Sequence, residues 1–420
     1  MIPAARLSAA IDLISDIEQA EKRPADAVAN DFFRARRFIG GGDRRAVSDR
    51  AWDVIRNRRK LGWWLTKADA PTNPGMLVAG SLLLEGWTAD GVAQSYSGGK
   101  YAPPSLTPAE KAALAKLEGH TADHPDMPAA VRLEIPDWLL PLLQKRFGNS
   151  LWRELEALAA PAPLDLRVNL LKTDRASARA ALLAEGIEAT PTTLSPWGLR
   201  VPGRKSITAG KTFQDGLVEI QDEGSQLVAA LVNAGPGMTV VDWCAGAGGK
   251  TLALAMTMQN RGKITACDVS ASRLDAAVRR LRRAGVHNAE RHLVEPGDKW
   301  AKRHAAAFDR VLVDAPCTGT GTWRRNPDAR LRLSETDLAE LLPKQAAILD
   351  TAARLTRVGG WLVYATCSLL PQENEAQVDA FLTRNPGYEV LPLHQVWGMN
   401  TPPPCDGPYL SLTPRQHATD

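Results

Sequence analysis

The chain has 420 residues, 51 Lys+Arg, 47 Asp+Glu and five cysteines. At about 100–200 residues per domain, the length accommodates two or three domains, and 44% hydrophobic with 23% charged residues excludes a disordered chain. A net charge of +4 is too slight to mark the whole chain as a polyanion binder, so any basic footprint has to be local.

Residues 1 to about 97 read as helical. Val47, Ala51, Val54 and Ile55 recur at helical spacing, with Arg44, Arg45, Arg56 and Arg59 beside them. From Lys22 to Lys60 there are 12 Lys/Arg against 5 Asp/Glu, which fits a solvated helix face and an RNA-binding face equally. Gly98 to Pro136 holds six prolines and few large apolar residues and reads as a linker. Helix resumes at Trp138. Leu166–Leu170 and Gly198–Val201 read as strands around a helix from Arg175 to Glu185 closed by Gly186.

From about residue 236 strands and helices alternate. The predicted strands are Thr239–Trp243, Lys263–Asp268, Arg291–Val294, Arg310–Asp314 and Trp361–Thr366, with helices at Ser272–Ala284 and Asp337–Arg357 among them. Short branched apolar strands alternating with helices predict an α/β fold with a parallel, doubly wound sheet. Ligands of such sheets sit at the C-terminal strand ends.

Those ends carry the chemistry. The first strand runs into Asp242–Thr251, where Gly246, Gly248 and Gly249 permit close backbone approach. Gly249-Lys250-Thr251 resembles the end of a P-loop, but Cys244 occupies its first glycine. The second strand ends in Asp268, placed to grip a ribose or to cap the next helix. An acid without a phosphate loop suits S-adenosylmethionine (SAM). The fourth strand ends in Asp314-Ala-Pro-Cys317 and the fifth in Ala365-Thr-Cys-Ser368. If those strands are neighbours, ~4.8 Å apart, one substrate reaches Asp314, Cys317 and Cys367 together.

The cysteines at 244, 267, 317, 367 and 405 form no Cys-x-x-Cys pair, so neither a disulfide framework nor a zinc site is expected. No His/Asp/Glu cluster suggests a metal. The start Met1-Ile-Pro-Ala-Ala-Arg6 lacks a leader pattern, and no apolar run approaches ~20 residues, so a cytoplasmic protein without membrane contact, and a monomer, is expected.

Together, Cys244-Ala-Gly-Ala-Gly-Gly-Lys250, Asp314-Ala-Pro-Cys317 and Ala365-Thr-Cys-Ser368 resemble the RsmB/Sun-type RNA cytosine-5 methyltransferases. Arg167-Val-Asn-Leu-Leu-Lys172 and Gln221-Asp-Glu-Gly-Ser-Gln226 are similar to that family's upstream signatures. The resemblance implies a SAM-dependent Rossmann-like catalytic domain (216–420), a small α+β subdomain (146–215) and a helical NusB-like RNA-binding domain (1–145). It implies that Cys244, Ala245, Gly246, Ala247, Gly248, Gly249 and Lys250 wrap SAM and that Asp268 holds its ribose. It places Asp314 between the methionine end and the target base, Cys367 as nucleophile and Cys317 in product release. Glu295 best fits the acid at the adenine end, with Asp298 as runner-up. The family typically continues past a Thr-Asp into a Gly-Phe-Phe strand, whereas this sequence stops at Thr419-Asp420, so a sheet lacking its final strand is expected.

The implied chemistry fits the residue types. Cytosine C5 is too weak a nucleophile to take a methyl group until a thiolate adds at C6. Asp314 would have to carry or share a proton to assist at N3. Arg324, Arg325, Arg330 and Arg332 follow the fourth strand and could hold phosphates, while Arg279, Arg280, Arg282 and Arg283 fit a solvated helix face. The substrate the resemblance favours is 16S rRNA. tRNA is the rival, a P-loop ATPase would leave the strand-end thiols idle, and a non-catalytic RNA-binding or ribosome-assembly protein would not need them.

Overall fold

Helices α1 (Pro3–Gln19), α2 (Ala25–Ala35), α3 (Gly41–Arg56), α4 (Arg58–Lys67) and α5 (Pro74–Leu84) gather the N-terminal apolar stripes into one core. The residues described in the computed structural model are 1–20, 23–203 and 205–420, so Lys22 of the basic stretch lies outside them. α5 is buried from Met76 to Leu84, as a helix apolar on all sides must be, and its N-terminus is closed by Pro74 and by Asn73, whose side chain accepts from Met76 N at 2.9 Å.

Two units divide the chain, Met1–Ala160 with Thr322–Glu335, and Pro161–Gly321 with Thr336–Asp420. The predicted linker at Gly98–Pro136 is instead part of the helical core, to which it contributes Leu106, Ala113, Leu114, Leu117 and Met127. Its prolines start elements rather than break them. Pro108 opens a helix (Pro108–Ala115) behind a capping box in which Thr107 and Glu110 exchange bonds.

The segment Thr322–Glu335 is anchored in that same unit. Asp328 accepts from Ala25 N at 3.0 Å, Arg56 donates to Arg324 O at 2.6 Å, and Arg330 donates to Arg56 O. Arg330 is buried opposite the buried Glu134, which accepts from Arg59 N and Lys60 N and so caps α4. The expectation that these arginines face phosphates is corrected for Arg324 and Arg330, which are buried, and Arg332 is paired with Asp328 at 2.6 Å.

The second unit holds two sheets. Strands β1 (Leu164–Val168), β2 (Thr190–Pro191), β3 (Gly198–Val201) and β4 (Val218–Ile220) form an antiparallel sheet in the order β2-β3-β1-β4. β1 stops at Val168 because Asn169 turns inward, its side-chain amide donating to Gly216 O and Ala284 O.

Strands β5 (Thr239–Asp242), β6 (Lys263–Asp268), β7 (Ala289–Leu293), β8 (Phe308–Asp314) and β9 (Thr356–Ala365) form the expected parallel sheet in the order β7-β6-β5-β8-β9. Val311 and Val313 pack with Trp300 and Leu355 on one face, while Leu312 packs with Leu254 and Met258 on the other. That two-sided burial is why these strands read as continuous apolar runs. β9 begins nine residues before Ala365, at Thr356, with a register shift between the Phe308–Thr356 and Arg310–Trp361 pairs and Gly359 at φ +74°. Strand order reverses between β5 and β8, so the switch point lies where Asp242, Asp268 and Asp314 end their strands. No helix among the described residues is long and apolar enough to cross a membrane.

Candidate active site

β8 and β9 pair in parallel, Asp314 opposite Ala365, and the two following turns bring the thiols together. Cys317 Sγ and Cys367 Sγ are 3.4 Å apart, and Cys367 is exposed. The bond between them pulls the Cys367 thiol below its ordinary range, against desolvation of the sulfur and the Asp314 charge, and raises the Cys317 thiol. The turns approach closely at Gly321, whose N–H donates to Cys367 O at 2.9 Å. A Cβ there would lie 2.8 Å from that oxygen.

Beside the thiols, Lys250 Nζ lies 2.6 Å from Asp314 Oδ2, with Lys250 largely buried and Asp314 half-exposed. Lys250 reaches it from the helix Gly249–Thr257, whose start follows Gly248 at φ +77°. Asp242 is fully buried below, one oxygen accepting from Thr251 Oγ1 at 2.7 Å and the other without a hydrogen-bond partner among the described residues. Burial pushes its carboxyl up to about 6. Cys244 and Cys267 lie in apolar surroundings that push both thiols up, so neither is set up as a nucleophile. Cys405 packs in a separate cluster with Leu227, Leu393 and Trp397.

The Cys244–Lys250 loop lies at the C-terminal ends of β5 and β6, where ligands of parallel sheets sit. A Cβ at Gly246 would meet nothing within 4 Å, which leaves open space at the strand ends. Asp268 stands there, but its oxygens accept from Gly246 N and Ser270 N, both at 2.8 Å. It therefore shapes the loop. The side chain that caps the next helix (Ala271–Ala284) is Ser270, not Asp268. After β7, Asp298 is occupied by His292 at 2.6 Å and Trp300 N at 2.8 Å, whereas Glu295 is exposed with no carboxylate partner among the described residues. Of the two, Glu295 is the acid left available.

The upstream signatures fasten this loop. Arg167 is buried and donates to Gly249 O at 2.8 Å and to the Gln221 side chain. Lys172 donates to Asp215 O and Arg283 O. The predicted solvated face of the Ala271–Ala284 helix is only partly so, since Arg280 donates to Ala247 O at 2.8 Å and Arg280 and Arg283 both pair with Glu219.

Sequence reasoning passed over Glu373. This fully buried carboxylate accepts from Thr318 N at 2.9 Å, Gln345 Nε2 at 3.0 Å, Thr318 Oγ1 and Ser368 Oγ. Its position six residues after Cys367, in a charged Glu-Asn-Glu run, was the only signal.

A family model described as 16S rRNA methyltransferase RsmB/F matches residues 229–420, and one described as the RsmF/B-like ferredoxin-like domain matches 135–208. Residues 135–208 and 229–420 thus match two models of one family, the RsmB/F methyltransferases. The RsmB/F match spans all five parallel strands and both thiols. The chain is similar to the probable ribosomal RNA small subunit methyltransferase B of Synechocystis sp., 36% identical over 68% of this chain and 64% of that protein. It is also similar to the ribosomal RNA small subunit methyltransferase B of Xylella fastidiosa, 39% identical over 59% of each. The matches thus span about six-tenths of these curated relatives. Among solved structures, PH0851 has a TM-score of 0.81 at 24% identity over 100% of this chain and 97% of that one, a likeness of fold. A methyltransferase homolog from Pyrococcus horikoshii has a TM-score of 0.58 at 29% identity over 69% and 94%.

Proposed function

We propose that this chain is a SAM-dependent RNA cytosine-5 methyltransferase acting on a cytosine of small-subunit ribosomal RNA. The observation that carries the reading is the thiol pair, 3.4 Å apart with Cys367 the exposed member, beside the Lys250–Asp314 pair. The names of the relatives supply the RNA.

Bound SAM supplies the methyl group as a sulfonium electrophile. Residues Cys244–Lys250, Asp268 and Glu295 would hold it at the strand ends. The Cys367 thiolate adds to C6 of the base and moves electron density to C5. Negative charge then develops at N3. The Lys250 ammonium meets it, while Asp314 accepts from the exocyclic amine, so the shared proton of the pair removes the need for a neutral Asp314. When the C5 proton passes to water and the C6–S bond breaks, the electron pair returns to Cys367. The Cys317 S–H that favours this thiolate before attack also favours it as a leaving group.

In this reading residues 1–145 grip RNA, 146–215 form an adaptor and 216–420 catalyse. At α2 and α3 a cleft of about 760 Å³ is lined by Arg34, Arg37, Arg44 and Arg45 with no carboxylate among its lining residues, a surface suited to phosphates.

Two variants test the reading. Cys367→Ala abolishes label transfer from SAM to rRNA. Cys317→Ala still attacks but accumulates a covalent protein–RNA adduct, seen as a band shift that survives denaturation. Free turnover by Cys317→Ala, or adduct formation by Cys367→Ala, overturns the roles. Bisulfite sequencing of rRNA and tRNA from cells lacking the protein locates the target base.

A further inference from the structure

We infer that Glu373 is a positioning residue whose buried carboxylate ties the turn after β8 to the turn after β9 and so sets the spacing of the Cys317 and Cys367 thiols. The inference rests on the reading of that pair as the reacting site.

A carboxylate with no exposure is costly unless donors surround it, and removing them leaves a charge stranded. No basic side chain pairs with Glu373 among the described residues. Its donors are neutral and come from both turns. Thr318 follows Cys317 directly and gives both its N–H and its hydroxyl. Ser368 follows Cys367 directly and gives its hydroxyl. The fourth donor, Gln345 Nε2, also donates to Pro316 O at 3.0 Å, so it holds the residue before Cys317 as well.

Glu373 is itself held. Tyr364, near the end of β9, donates to Glu373 O at 2.7 Å. The neighbouring Asn374 donates to Ser368 O at 2.8 Å and Leu370 O at 3.1 Å. The carboxylate therefore stands in the turn Pro371–Glu373 after β9, held to that strand through Tyr364, and reaches across to the turn after β8. A link one residue from each sulfur is the shortest route by which anything outside the reacting groups can fix their separation.

The turns also bond without Glu373, through Leu369 N to Thr320 Oγ1 at 2.8 Å and Gly321 N to Cys367 O at 2.9 Å. Those bonds hold the backbones near each other when the carboxylate is removed. A purely structural Glu373 would then change melting alone, whereas a positioning Glu373 changes what the thiols do to each other.

The test is made on the full-length chain with Glu373→Ala, Glu373→Gln and the double variant Thr318→Val/Ser368→Ala. Diamide, an azo oxidant, takes two electrons and two protons from the thiols. It is reduced to the hydrazine as the Cys317–Cys367 S–S bond forms, and mass spectrometry follows the rate. Glu373→Ala is expected to slow closure about tenfold and to lower kcat on an rRNA transcript by about 10²-fold, with KM for SAM unchanged. Glu373→Gln restores most of both, because the amide oxygen can take the two N–H donors while its NH₂ meets the two hydroxyls, which can turn to accept. The double variant falls between.

A folded Glu373→Ala protein with the wild-type closure rate overturns the inference. Should Glu373→Ala fail to fold, wild-type closure in the double variant overturns it equally. Closure needs neither RNA nor SAM. If the wild-type chain transfers no methyl group yet closure depends on Glu373, the function reading fails and the positioning role stands.

Discussion

Asp242 ends β5 with no exposure, and one of its oxygens has no hydrogen-bond partner among the described residues. Its carboxyl, raised from the ordinary carboxylate value to about 6, defines a pH window. The folded value lies above the unfolded one, so the unfolded chain ionises first as pH rises. Stability from this group is full below about pH 4 and is lost as pH climbs through about 6. At neutral pH the loss is on the order of 3 kcal/mol, at 1.36 kcal/mol per pKa unit. Asp242→Asn is therefore expected to raise Tm at pH 7.5 and hardly at pH 4.5. An equal gain at both pH values would contradict this account of Asp242. Lys250 yields a second prediction. Lys250→Met removes the ammonium 2.6 Å from Asp314 and should lower kcat by about 10²–10⁴-fold with the fold intact. A kcat within a few-fold of wild type would remove Lys250 from the proton economy of the base. Both thiols and Asp314 were legible as motifs. The 3.4 Å S···S contact of the thiols was not, because it joins residues 50 apart in sequence.

At the scale of elements, local chemistry and distant chemistry divide cleanly. The Pro108–Ala115 helix is closed by its own capping box, and Thr107→Ala should cost about 1 kcal/mol. α4 has no side-chain cap from Asn57. Its first amides are satisfied by Glu134, which faces Arg330 of the Thr322–Glu335 segment. Burial raises the Glu134 carboxyl and lowers Arg330, and each charge counters the other's shift. Removing Arg330 leaves the buried Glu134 carboxylate without an opposing charge. Arg330→Met should therefore destabilise the helical unit, with faster hydrogen exchange at the Arg59 and Lys60 amides. Unchanged exchange there would sink the claim. The arginine run 324–332 looked like a phosphate grip in the sequence. Only its tertiary partners reveal that Arg324 and Arg330 are core residues.

For the whole molecule the net charge of +4 is the wrong quantity to watch. Charge is distributed locally, and the cleft at α2 and α3 concentrates four arginines, of which Arg34, Arg37 and Arg45 are exposed and Arg34 is paired with Asp31 at 3.2 Å. Arg37→Glu/Arg45→Glu should raise KM for an rRNA transcript and reduce the salt slope of binding by about one for each phosphate no longer gripped, leaving SAM affinity unchanged. An unaltered salt slope would place the RNA grip elsewhere.

Local pattern along the chain was enough to specify the parallel sheet, its five strands and the thiols, acid and glycine loop at their ends. Period, strand length and motif spacing are local properties, and a parallel α/β sheet puts its ligands at the C-terminal strand ends whatever the details. Long-range packing settled the rest. It put β8 beside β9, paired Lys250 with Asp314, folded a proline-rich stretch and a catalytic-half segment into the helical unit, and bonded Glu373 to the residues that follow both thiols. Each of these depends on which distant groups satisfy a buried charge or an apolar surface, and that is fixed only when the chain closes on itself.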